Sequence, residues 1–62
     1  MTKFSRIDAV QDRYGLSRST IYEEMAAGRF PKPVKIGPRA VAWVDAELEA
    51  WAAKRIAERE AA

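Results

Sequence analysis

The chain contains no cysteine and no histidine. Without cysteine no disulfide can staple the fold, and without either residue the usual structural zinc set is missing. The same absences weigh against enzymatic chemistry, because histidine is the commonest acid/base at neutral pH and cysteine the most readily activated nucleophile. No metal, cofactor or small-molecule substrate is therefore expected. Apolar runs are short: none approaches the roughly 18 residues of a membrane span. Lys3, Arg6 and Asp8 interrupt the start of the chain, where a signal-peptide core would be apolar. A soluble, cytosolic protein with no membrane partner is the expectation.

Length sets a further bound. The 62 residues are expected to form one domain over 1–62, hiding only about 60% of the surface the unfolded chain exposes. So small a chain has little room to enclose a ligand pocket, and its core must come from packing alone. Net charge is only +2, but it is unevenly placed. Residues 1–44 carry eight Lys and Arg against four Asp and Glu, whereas residues 45–62 carry three against five. A basic first part of this kind suits a polyanion partner.

Glycine and proline number three each, and they stand where elements should break. Ile7, Val10 and Tyr14 recur at spacings of three and four, predicting a first helix over 6–14, with Ser5 as its cap and Asp8 in its first turn. Gly15 ends it, since glycine accepts the left-handed conformation required there. Ser17 caps a second helix over 18–27 that buries Ile21 and Met25, with Leu16 packing on Ile21 as a hydrophobic staple. Ser19, Tyr22, Glu23 and Ala26 then fall on the outward face, flanked by Arg18 and Thr20. Gly28 stops this helix and Pro31 prevents its resumption.

Val34 to Ile36 and Ala40 to Val44, rich in β-branched and aromatic residues and separated by Gly37-Pro38-Arg39, predict a two-stranded hairpin over 34–44 with Arg39 at its tip. Val41 and Trp43 are expected on its packing face. Asp45 caps a third helix over 46–59, whose inner stripe is Leu48, Trp51, Ala52 and Ile56, and residues 60–62 are expected to fray. The fold class is mostly α with a small β-hairpin, in the order α-α-β-β-α. Trp43, Trp51 and Tyr14 are read as core, not as stacking platforms for single strands.

Two short amphipathic helices joined by a tight turn, the second opening with small polar and basic side chains, form the pattern of a helix-turn-helix. In that pattern the second helix enters the DNA major groove. The basic hairpin that follows supplies a wing. Leu16-Ser17-Arg18-Ser19-Thr20-Ile21-Tyr22, then Ala27-Gly28-Arg29-Phe30-Pro31-Lys32-Pro33-Val34-Lys35-Ile36-Gly37, then Arg39-Ala40-Val41 with Trp43, together resemble the AlpA family. These are small prophage regulators related to excisionases, with a MerR-like winged helix-turn-helix. The resemblance runs from about Ile7 to Ile56. It implies binding to double-stranded DNA near prophage attachment sites or promoters in the bacterial cytosol, as a transcriptional regulator, an excisionase-type recombination directionality factor, or both. Copies of the chain, an integrase or RNA polymerase are the partners such a role implies on DNA. Departures from the family pattern are Glu23 and Glu24, where a basic residue often follows the tyrosine, and Pro38 in the hairpin turn.

The candidate DNA-binding residues are accordingly Ser17, Arg18, Ser19, Thr20, Tyr22 and Glu23 on the second helix, with Lys32, Lys35 and Arg39 on the wing. Arg18 suits a phosphate or a guanine edge, Ser19 and Thr20 suit either kind of partner, and Tyr22 suits a phosphate or a thymine methyl. A carboxylate at Glu23 is repelled by phosphate but can accept from cytosine, whereas Glu24 reads as solvated surface charge. Arg39 suits a phosphate or a narrow minor groove, and Lys32 and Lys35 suit the backbone. The competing reading is a winged-helix protein-interaction module with little DNA affinity, for which Glu23 and Glu24 are the motive.

Overall fold

In the computed structural model, which describes residues 3–61, the elements run β1 (Phe4–Ser5), α1 (Ile7–Tyr14), α2 (Arg18–Ala26), β2 (Val34–Gly37), β3 (Ala40–Val44) and α3 (Asp45–Ala61). The three strands form an antiparallel sheet in the order β1-β3-β2. Helices and wing stand close to the expected positions. The order differs from α-α-β-β-α by one strand at the front.

That strand corrects the reading of Ser5. Ser5 does not cap α1: it pairs with Trp43 across the β1-β3 ladder, next to Phe4 opposite Val44. Its hydroxyl donates to the Asp45 carboxylate at 2.5 Å. Arg6 occupies the cap position with extended backbone and no side-chain cap bond. The physical reason is the edge of β3, whose backbone groups need partners. The N-terminal segment supplies them, and the Asp45 N–H donates to the Lys3 carbonyl at 2.9 Å just beyond the strand. Asp45 itself begins α3, one residue earlier than expected. Its carboxylate is held by Ser5 and by Arg13 at 3.6 Å.

Both helix-ending glycines do what their sequence position suggests. Gly15 sits at φ 65° and Gly28 at φ 77°. The Leu16 N–H donates to the Gln11 carbonyl at 3.2 Å, and past α2 the Arg29 N–H donates to Glu24 at 2.9 Å and the Gly28 N–H to Met25 at 3.0 Å. The second pair of bonds is the Schellman arrangement, which satisfies carbonyls that a helix end leaves without partners. It also ends α2 at Ala26, one residue short of the expected 27, with Ala27 as the cap.

The core is Val10, Ile21, Phe30, Trp43 and Leu48, with Ile7, Tyr14, Leu16, Met25 and Trp51 packed on it half-buried. Two further residues are buried that the apolar spacing does not mark, Ala42 on β3, fully buried, and Phe30. Phe30 lies in the connector between α2 and β2, 4% exposed, and meets Trp51 edge-on with centroids 4.8 Å apart and Trp43 at 6.2 Å. Tyr14 closes the aromatic cluster against Trp51 at 5.4 Å. Edge-to-face pairs add roughly 0.5–1.5 kcal/mol each beyond the area they bury. The Trp43 indole N–H donates to the Pro31 carbonyl at 2.7 Å, tying the connector down on the wing.

Two expected core positions face water instead. Val41 is 47% exposed. It pairs with Lys35 near the tip, where Val34, Lys35, Ile36, Pro38 and Arg39 are exposed too. Ile56 is 51% exposed because α3 outruns the core, every residue from Ala53 to Glu60 being exposed. The helix continues to Ala61 instead of fraying from Glu60, and residue 62 lies outside the described residues. No helix among the described residues is long and apolar enough to cross a membrane.

Candidate nucleic-acid interface

Ser17 organises the start of α2. Its hydroxyl oxygen accepts from the Thr20 backbone N–H at 3.2 Å, as an N-cap should, and donates to the Thr20 hydroxyl at 2.7 Å. The Ser19 hydroxyl lies 3.4 Å from the same oxygen. Three small hydroxyls thus form one local network over the first turn. Thr20, half-buried, is the least available of them.

From this start α2 buries a single residue completely, Ile21. Arg18, Ser19, Tyr22 and Glu23 are exposed, with Tyr22 half open to solvent. The helix therefore stands clear of the interior along its polar face. Its N-terminal turn contains no acidic residue, whereas α1 begins with Asp8 and α3 with Asp45 and Glu47 in their first turns. The partial positive charge of the free N–H groups is consequently left uncompensated there, and Arg18 adds to it.

On the wing, Lys32 precedes β2, Lys35 stands on it, and Arg39 occupies the two-residue turn between β2 and β3; all three are exposed. Pairing is regular at Val34 with Ala42 and Lys35 with Val41, then shifts before Gly37 pairs with Ala40. That irregularity frees Ile36 from the ladder and lets the strand close on the Pro38-Arg39 turn. Among the described residues, none of these three cations forms an ion pair, and no side-chain hydrogen bond joins the wing to α2. Ser17, Ser19 and Thr20 thus form one connected group, and among the described residues no side-chain hydrogen bond or ion pair links the wing cations to it.

Glu24 departs from its reading as solvated charge. It turns away from the exposed face and accepts from Arg29, 2.8 Å from Nη2, with only 19% of its side chain exposed. Arg29 holds the Glu24 carboxyl below its ordinary value, first by the hydrogen bond. Arg29 is raised in turn. Sequence reasoning missed this pair, whose only local signal is a basic residue just beyond the helix-ending glycine.

A shallow groove beside this pair is lined by Gly28, Arg29, Trp51, Lys54, Arg55 and Glu58 and measures about 110 Å³. That is well short of the roughly 300 Å³ from which small-molecule sites begin. Among the described residues no group of three or more potential ligands is placed to hold a metal.

Three helices, a capped second helix standing outward and a small antiparallel sheet carrying a basic hairpin define a miniature winged-helix domain. Residues 3–56 match the family described as prophage CP4-57 regulatory protein (AlpA). The chain belongs to that family, which is one of regulators and not of enzymes. It is 49% identical over 57 residues to the uncharacterized protein ORF88 of Enterobacteria phage P4, the match covering 92% of this chain and 65% of that protein. It is 32% identical to the DNA-binding transcriptional activator AlpA of Escherichia coli, covering 81% of this chain and 80% of that one. The chain thus spans less than two thirds of the phage P4 protein's length. No solved structure matches it.

Proposed function

We propose that the protein is a sequence-specific, double-stranded-DNA-binding regulator of prophage transcription, excision or both. Helix α2 enters the major groove N-terminus first, and the wing lies against the adjoining backbone or minor groove. The observation that carries this reading is the exposed leading end of α2. Its first turn is capped by Ser17, carries Arg18 and has no carboxylate to repel phosphate. The name of the Escherichia coli relative, a DNA-binding transcriptional activator, points the same way.

In this arrangement Arg18 and Ser19 meet base edges or phosphates, and Ser17 and Thr20 stiffen the turn that presents them while lending hydroxyls to phosphate. Tyr22 lies one turn further along the exposed face. Lys32, Lys35 and Arg39 neutralise phosphates, Arg39 from the hairpin tip. A module of this size reads few base pairs, so useful selectivity requires several copies on one site or a partner such as an integrase or RNA polymerase.

Titration of a labelled duplex across a salt series tests the reading. Log affinity should fall linearly with log salt, with a slope near −0.9 per phosphate neutralised. Arg39→Ala should weaken all duplexes together and flatten the slope by about one. Arg18→Ala should relax base preference at one position by roughly 1–3 kcal/mol if it reads guanine. DNA affinity at low salt that neither substitution changes would overturn the site.

A further inference from the structure

Glu23 is placed where a carboxylate has no structural task. It is exposed on the same face of α2 as Ser19 and Tyr22, and among the described residues it forms no ion pair and no side-chain hydrogen bond. The positions that could neutralise it along the helix, three and four residues away, hold Ser19, Thr20, Ala26 and Ala27, none of them basic. Arg18, five residues back, lies about 140° round the helix. The adjacent Glu24 shows the alternative, since its charge is taken up by Arg29.

A lone carboxylate in the middle of a face that meets phosphate-lined DNA is repelled everywhere in the groove except beside a hydrogen-bond donor. The major groove offers two, the exocyclic amines of cytosine and adenine. Adenine presents its amine next to a ring-nitrogen acceptor, which opposes a carboxylate and suits an amide. Cytosine presents the donor without that neighbour, and acidic side chains pair with it. Resting on the DNA reading above, we infer that Glu23 is a specificity-determining residue that accepts a hydrogen bond from the exocyclic amine of a cytosine in the bound site. Glu23 thereby selects against the other bases at that position. The small side chains of Ser19, Ala26 and Ala27 around it leave the carboxylate unobstructed access to a base edge.

Selection from a randomised duplex pool with the wild-type chain, Glu23→Gln and Glu23→Ala tests this. The wild type should enrich cytosine at one position by about tenfold or more. Glu23→Ala should lose preference at that position and keep the others, and Glu23→Gln should move the preference there to adenine. Should Glu23→Ala keep every wild-type preference and bind all duplexes more tightly, Glu23 only repels and the inference falls while the DNA reading stands. If the wild type retards no duplex at low salt, the DNA reading falls and takes this inference with it. Because Glu23 is exposed and unpaired, neither substitution removes a contact of the fold.

Discussion

At Glu24 the Arg29 guanidinium donates from Nε at 3.2 and 3.3 Å and from Nη2 at 2.8 Å, a two-pronged grip that favours the ionised carboxylate. A carboxyl held below its ordinary 4.5 by such a partner contributes stability fully present above that value and lost as pH falls through its lowered folded-state value. Glu24→Gln should therefore melt at a lower temperature than the wild type near neutral pH, and the gap should close on acidification below about pH 4.5. Thermal scans of the two proteins by circular dichroism at several pH values check the sign. A gap that persists unchanged in acid would assign the effect to lost packing and not to the ion pair. Since the same two residues also share a backbone bond across the end of α2, the pair fixes the direction in which the chain leaves for the wing.

At the scale of elements, the two helix-ending glycines separate backbone strain from crowding. A Cβ added at Gly15 or Gly28 would meet nothing within 4 Å, so any penalty there is conformational alone. Gly28→Ala should cost about 1–2 kcal/mol, and Gly28→Asn less, because asparagine tolerates the left-handed region. Urea denaturation of the three proteins gives the order, and an alanine variant as stable as the wild type would remove the constraint. These stops, with the Ser17 cap and the Pro31 break, are local signals, which is why both helices and the hairpin were legible in the residues that form them. Strand β1 was not, because Ser5 and Phe4 owe their conformation to Trp43 and Val44, some forty residues away. An isolated Phe4-Ser5 step carries no periodicity to read. Phe30 was missed for a related reason: it sits in a connector, where no helical or strand spacing marks it, and it is buried by aromatic partners on β3 and α3.

Across the whole molecule, what the sequence left open was how far each element reaches beyond the common core. Val41 and Ile56 satisfy the apolar spacing of their elements, yet one lies near the hairpin tip and the other on the exposed end of α3, and about half of each stays open to solvent. The exposed face of α2 was legible because exposure at Arg18, Ser19, Tyr22 and Glu23 follows from which side of the helix holds Ile21. With so few residues in the core, native stability should stand near the low end of the usual 5–15 kcal/mol, and a bound duplex then adds a visible share by mass action. Free duplex at about one hundred times its dissociation constant should contribute roughly 2.7 kcal/mol, which for a domain of this size raises the melting temperature by about 10 °C or more. At one fixed duplex concentration the rise should shrink with added salt for every sequence, as the proposed phosphate contacts of the wing cations require, and at one salt it should differ between the selected and a scrambled duplex. Arg39→Ala should lower it on both duplexes. An equal rise on selected and scrambled DNA would describe a protein that grips the backbone without reading it, and would leave the exposed face of α2 without a role in base selection.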